Sequence, residues 1–137
     1  MWRRKYAGLY IFWPQQLPDL RAELKDAVMR LVEVGVDTFY VGNQGRFDAQ
    51  VRRVFSKLCV RYAVVLAYLP KAANGELGDT MFPEGLELVH PRFAIDRRNR
   101  WMLERSEYVV TYVRHGWGGA AKFAALAERQ GKQIIRL

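Results

Sequence analysis

The sequence predicts one α/β domain, residues 1–137, with a parallel sheet of five strands and helices on both faces. Short apolar runs alternate with amphipathic segments along the chain, which is the pattern of a doubly wound sheet. The run Val64-Val65-Leu66 is apolar throughout, as expected of a parallel strand buried on both faces. Glycine-rich turns stand twice between a predicted strand and the helix that follows it.

The first half of the chain predicts three strands and two helices. The first strand is the apolar and aromatic run Gly8–Trp13. A helix from Pro18 to Val34 follows and is closed by Gly35, because proline favours the first helical turn and glycine the end. The apolar face of this helix comprises Leu20, Leu24, Ala27, Val28, Leu31 and Val32. The next predicted elements are a strand at 37–41, a helix at 46–58 and a strand at 62–68.

The second half begins with a long irregular stretch, Leu69–Pro91, which contains three of the five prolines. A loop of this length inside a compact domain is usually functional or mobile. The pattern then predicts a helix at 93–106, a strand at 108–113, a helix at 118–130 and a final strand at 133–137.

The predicted helix at 93–106 carries two polar residues on its apolar side. Arg98 lies three or four residues from Ala94, Ile95, Trp101 and Met102, and residues at that spacing share a helix face. Asn99 lies on the same side, whereas Arg97, Arg100 and Glu104 fall towards solvent. A guanidinium keeps its charge and must be paired when it is buried. Arg98 therefore either pairs with an internal carboxylate or strand carbonyl, or binds an anionic ligand.

Glycine turns and polar residues follow several predicted strands. In an open parallel sheet, ligands bind beyond the carboxyl ends of the strands. Glycine turns there expose backbone N–H groups at helix N-termini, where anions bind. With Arg98 and Asn99, these turns predict a site for a phosphate-bearing ligand. The other predicted binding residues are Gly42, Asn43, Gly45, Tyr68, Gly116, Gly118 and Gly119.

Carboxylates offer only weak candidates for catalysis. Asp48 lies in the first turn of a predicted helix, where it either stabilises the helix end or acts chemically. Asp79 and Glu84 lie in the long irregular stretch and are candidate acids, bases or ribose-hydroxyl acceptors. His90 and His115 lack partners at metal-ligand spacing, so no metal or other cofactor is predicted.

Composition limits the partners and the compartment. The net charge of +8 favours polyanionic partners, but the basic residues are scattered and form no arginine-rich arm. No apolar run reaches the ~18 residues that a membrane span requires. The lone Cys59 cannot form an internal disulfide, and its helical flank predicts a packed thiol. We therefore expect a cytoplasmic protein whose partner is a nucleotide-like small molecule, with nucleic acid as the less favoured partner.

A family resemblance rests on six segments of the chain, at residues 39–48, 64–70, 83–85, 91–95, 98–102 and 117–121. Together they resemble a small bacterial family of the SLOG superfamily, over roughly Leu17 to Leu137. That superfamily includes the "lonely guy" phosphoribohydrolases and the DNA-processing protein A. The resemblance implies a Rossmann-like fold and a nucleotide-type ligand, and it carries over the two glycine turns and the Arg98-Asn99 pair.

The sequence departs from this resemblance at two points. Family members usually have a Thr-Gly-His-Arg turn after the first strand, whereas Tyr6–Trp13 contains neither that histidine nor that arginine. The hydrolases carry a PGGxGTxxE motif, and the matching helix start, Gly116–Phe123, has no acid. Since cleavage of an N-glycosidic bond normally requires a carboxylate at the reacting carbon, the hydrolase activity is not carried over.

Three functions follow as hypotheses. The preferred one is a sensor or binding module for a nucleotide or nucleotide-derived ligand. The second is an N-glycosidase or deoxyribosyltransferase-like enzyme acting on nucleoside monophosphates, with Asp48 or Glu84 in place of the absent glutamate. The third is a single-stranded DNA-binding protein. The sequence leaves open the identity of the base, and whether a sheet edge forms a homodimer.

Overall fold

Six strands and four helices alternate in the computed structural model, which describes residues 5–11, 18–43, 45–69, 79–112 and 119–137. The strands are β1 (Lys5–Ile11), β2 (Val36–Val41), β3 (Tyr62–Val65), β4 (Thr80–Met81), β5 (Tyr108–Tyr112) and β6 (Gln133–Arg136). The helices are α1 (Arg21–Glu33), α2 (Gly45–Leu58), α3 (Ala94–Glu104) and α4 (Gly119–Arg129). Two short 3₁₀ turns, Leu86–Leu88 and Pro91–Phe93, precede α3.

The strands form one parallel sheet in the order β4-β3-β2-β1-β5-β6. The chain first builds outwards from β1 through β2 to β4, then returns to the other side of β1 with β5 and β6. The strand order therefore reverses at β1. In this topology the crevice for a ligand opens where the order reverses, beyond the carboxyl ends of β1 and its neighbours.

Helices cover the two faces of the sheet in pairs. On one face, α1 and α2 pack around Phe39, Val41 and Val64. On the other face, α3 and α4 pack around Tyr40 and Val109. Adjacent residues of one strand belong to opposite cores because side chains alternate across a strand. This arrangement confirms the α/β sheet with helices on both faces.

The predicted number of strands is wrong, because the described residues form six strands rather than five. The additional strand, β4, lies inside the stretch predicted to be irregular. Backbone bonds hold it against β3, among them Val64 N to Asp79 O and Leu66 N to Met81 O, both at 2.8 Å. Two exposed residues are too short a run to show strand periodicity, so tertiary pairing alone defines this strand.

The beginning of α1 also differs from the prediction, since the helix starts at Arg21 rather than Pro18. Asp19 accepts a hydrogen bond from Arg21 N at 3.1 Å, and such a local side-chain bond favours a turn before the helix. From α2, Gln50 accepts from Leu20 N at 2.8 Å and donates to Pro18 O at 3.1 Å. These bonds hold the entry to α1 in a non-helical conformation.

Two side chains predicted to be packed are exposed. Val32 is 42% exposed on the outer side of α1. Cys59 is exposed rather than packed, because the chain leaves α2 there with a left-handed φ of 54°. None of the described helices is long and apolar enough to cross a membrane. Residues Phe12 and Trp13 of the predicted first strand lie outside the described residues.

Candidate functional site

The guanidinium of Arg98 lies at the carboxyl end of the sheet. Arg98 and Asn99 are 3% and 6% exposed, which confirms that both face the sheet. Arg98 Nη1 donates to the carbonyl of Val65, the last residue of β3, at 3.0 Å. Arg98 Nε donates to Asn99 Oδ1 at 2.8 Å. A strand carbonyl is one of the three partners that the sequence allowed for this arginine.

Gly42, the residue after β2, lies directly against this guanidinium. A Cβ atom on Gly42 would stand 2.9 Å from Arg98 Cζ, and closer still to Nη1. The φ of Gly42 is not among the left-handed values, so backbone conformation does not require a glycine here. Gly42 is needed because only a residue without a side chain leaves room for the guanidinium.

Asp48 reaches the same point from the opposite face of the sheet. A Cβ atom on Gly42 would stand 2.7 Å from Asp48 Oδ2 as well as close to Arg98 Nη1. The carboxylate and the guanidinium therefore lie next to each other, against the same glycine. Asp48 is 6% exposed and lies in the first turn of α2. A buried carboxylate beside a buried guanidinium offsets its charge, which fits the stabilising alternative for Asp48. Arg52, one turn further along α2, donates to Gly42 O at 3.2 Å.

A surface ion pair brings the first turn of α4 to the first turn of α3. Asp96 accepts from Arg100 at 2.9 Å on its own helix and from Lys122 of α4 at 3.2 Å. Burial acts to raise the pKa of Asp96, but the two hydrogen bonds outweigh it and hold this pKa below its usual value. Since Asp96 lies two residues before Arg98, the N-terminus of α4 and the Arg98 helix meet at the same end of the sheet.

The remaining predicted residues are distributed along this edge. Asn43 directly follows Gly42, and Gly45 and Gly119 are the first residues of α2 and α4. Tyr68 lies beyond the end of β3, 43% exposed, and donates to Pro91 O at 2.9 Å. Glu84 is exposed in the turn after β4, three strands from β1. The predicted Gly116 and Gly118 fall at 113–118, outside the described residues.

The described residues contain no group of three or more acidic, histidine or cysteine side chains arranged to hold a metal ion. They also contain one buried polar residue that no sequence pattern singled out. Thr111 of β5 is 1% exposed, and its hydroxyl has no hydrogen-bond partner in the described part of the chain. Threonine is common in strands because it is β-branched, so its presence in Tyr108–Tyr112 gave no signal of function.

Neither the comparison with protein-family models nor that with curated protein sequences finds a match. Among solved structures, the fold is similar to DNA processing protein A from Streptococcus pneumoniae, with a TM-score of 0.64 and 15% sequence identity. The similarity covers 97% of this chain and 50% of that protein, so the chain spans half of its length. A similarity at 15% identity shows the fold alone. That fold is the Rossmann-like one implied by the sequence resemblance.

Replacing Gly42 by alanine tests the packing of the guanidinium. Because the added methyl group would meet two buried charged groups, we expect Gly42→Ala to lower the free energy of unfolding by about 2–3 kcal/mol. Urea denaturation measures this loss. Gly85→Ala is the control: its Cβ would meet nothing within 4 Å, and its φ of +83° should cost about 1 kcal/mol. A Gly42→Ala variant as stable as wild type would contradict the described packing.

Proposed function

We propose that this chain is a binding module or sensor for a nucleotide or nucleotide-derived ligand, held at the carboxyl edge of the sheet. The phosphate would rest at the N-terminus of α4, which begins at Gly119. The sugar or base would meet Asn43 and Asn99, near the turn after β2. The charge of Arg98 would favour the anion from behind that turn. The other proposed binding residues are Gly42, Gly45, Tyr68, Gly116 and Gly118.

The observation that carries this proposal is the reversal of strand order at β1. On one side of β1, the chain leaves β2 and enters α2; on the other, it leaves β5 and later enters α4. Both helices therefore begin at the same edge, on opposite faces of the sheet. Each N-terminus carries a partial positive charge and backbone N–H groups without helical partners, and both favour an anion.

Arg98 supports this proposal through its charge and through the turn that it holds. Its Nε and Nη1 groups bond within the protein, to Asn99 and Val65. The guanidinium therefore serves as a fixed part of the edge rather than as a mobile clamp. It fixes Gly42 and, through Gly42, the start of the turn that carries Asn43. A preorganised turn lowers the entropic cost of binding a ligand.

A binding function explains the residues at this edge of the sheet better than hydrolysis of an N-glycosidic bond does. The helix start Gly116–Phe123 has no acid where the hydrolases carry their glutamate. Asp48 is buried beside a guanidinium, an arrangement typical of a charge-paired structural carboxylate. Glu84 lies next to the edge strand β4, away from β1. An N-glycosidase or deoxyribosyltransferase-like activity through Asp48 stays the enzyme alternative, and release of free base from a monophosphate would favour it.

Calorimetric titration with the four ribonucleoside 5′-monophosphates and their nucleosides tests the binding proposal. We expect at least one monophosphate to bind about tenfold or more tightly than its nucleoside, because helix N-termini and a buried cation favour the phosphate. Asn43→Ala should weaken the monophosphate and its nucleoside alike, since Asn43 is assigned to the sugar or base. Equal affinities for monophosphate and nucleoside in wild type, or no binding at all, would contradict the proposal.

A second candidate, binding of single-stranded DNA, is favoured by a separate surface. Phe93 is 56% exposed, and Arg92 lies over its ring, 5.7 Å from the centroid. The half-exposed Tyr68 is bonded to Pro91 of the same 3₁₀ turn. Exposed aromatic rings beside arginines are the groups on which bases stack. The net charge of +8 and the structural neighbour, a protein described as DNA-processing, agree with this candidate.

Fluorescence anisotropy with a labelled oligothymidylate tests this second candidate. If bases stack here, Phe93→Ala should weaken binding by about 1–3 kcal/mol. The affinity should also fall steeply as salt is raised, because phosphate contacts release counterions. Leu88→Ala is the control, since Leu88 is 86% exposed and apolar but not aromatic. A flat salt dependence would remove this candidate.

A further inference from the structure

Thr111 stands out among the buried polar groups of the molecule. Its hydroxyl oxygen is the one buried side-chain nitrogen or oxygen atom in the described residues without a hydrogen-bond partner. A buried hydroxyl that leaves water without gaining a bond costs stability. A valine would fill nearly the same space in β5 without that cost. The position therefore carries a donor that the described fold itself does not use.

The alternation of side chains along β5 fixes the face on which Thr111 lies. Val110 belongs to the core beneath α1 and α2, whereas Val109 packs with Phe123 and Ala127 of α4. Since side chains alternate, Thr111 faces the same way as Val109. The hydroxyl thus lies on the face that α4 covers.

The level of Thr111 along the strand places it under the beginning of α4. Helix α4 connects β5 to β6, and these two strands are parallel. The helix must therefore return from the carboxyl end of β5 to the amino end of β6, so it runs antiparallel to the strands. Thr111 lies two residues beyond Val109, about 7 Å nearer the carboxyl edge. Gly119 lies four residues before Phe123, about 6 Å in the same direction. Because Val109 and Phe123 belong to one core, we infer that the hydroxyl and the first turn of α4 lie at a similar height.

The same position adjoins the point where the strand order reverses. Thr111 is the register partner of Tyr10 in β1, near the carboxyl end of both strands. The buried donor, the helix N-terminus and the crevice of the fold thus coincide. An anion bound at this point would meet the backbone N–H groups of the first turn of α4 on one side and the Thr111 hydroxyl of β5 on the other.

We propose that the Thr111 hydroxyl donates a hydrogen bond to a phosphate oxygen of the ligand and thereby selects phosphorylated over unphosphorylated forms. This inference rests on the proposed nucleotide-binding function and adds a specificity residue to the same site. A hydroxyl donor is matched by a phosphate oxygen, which accepts strongly because it is charged. The nucleoside alone offers no such acceptor at this place.

Thr111→Val provides a test in which stability and binding change in opposite directions. Removal of the unbonded hydroxyl should raise the melting temperature of the ligand-free protein by a few degrees. The monophosphate that wild type binds most tightly should bind about tenfold more weakly, while its nucleoside is unaffected. Thr111→Ser, which keeps the hydroxyl, should retain the wild-type preference for the monophosphate. Calorimetry and thermal unfolding give both quantities.

Thr38→Val is the matched control, because the Thr38 hydroxyl already donates to Asp37 at 2.9 Å, in the amino-terminal half of β2. It should lower the melting temperature and leave binding unchanged. If wild type binds a monophosphate and Thr111→Val binds it equally well, the role of Thr111 is overturned and the proposed function stands. If wild type binds no monophosphate, both proposals are overturned. If Thr111→Val does not fold, loss of the monophosphate preference in a folded Thr111→Ala variant supports the role, and its retention overturns it.

Discussion

A buried guanidinium at the carboxyl edge of the sheet is the constraint on which the local structure depends. Arg98 cannot lose its charge, and at 3% exposure it must find its partners inside the protein. It takes the last carbonyl of β3 and lies against Gly42 and Asp48. Through these contacts one side chain from α3 reaches across the end of the sheet to α2. The two helical layers are therefore coupled at the edge where a ligand of this fold would bind.

The sequence predicted the parts of the structure that depend on periodic burial. The α/β alternation and the inward placement of Arg98 and Asn99 follow from helix and strand periods. What it missed depends on contacts between distant segments: β4 is defined by pairing to β3, and the exposure of Cys59 by the turn that ends α2. The role of Gly42 was equally hidden, because a glycine turn and a glycine that makes room for a guanidinium look alike in sequence.

The charges at this edge favour the binding of an anion. Two helix N-termini and a guanidinium contribute positive potential, and Asp48 offsets part of it from a buried position. No carboxylate stands at the start of α4, where the resembling hydrolases carry their glutamate. In the proposed function, donors supplied by the turns and strands at this edge recognise a phosphate. The aromatic surface at Phe93 is a separate feature, next to the 3₁₀ turns.

Amide chemical shifts during a nucleotide titration test the location of the ligand most directly. The isotope-labelled protein is titrated with a ribonucleoside 5′-monophosphate, and the amide resonances of the described residues are followed. We expect the largest changes at Asn43, Thr111 and Gly119, at the carboxyl edge where the strand order reverses. Changes centred on Arg92 and Phe93, or none at Gly119, would contradict this location of the ligand.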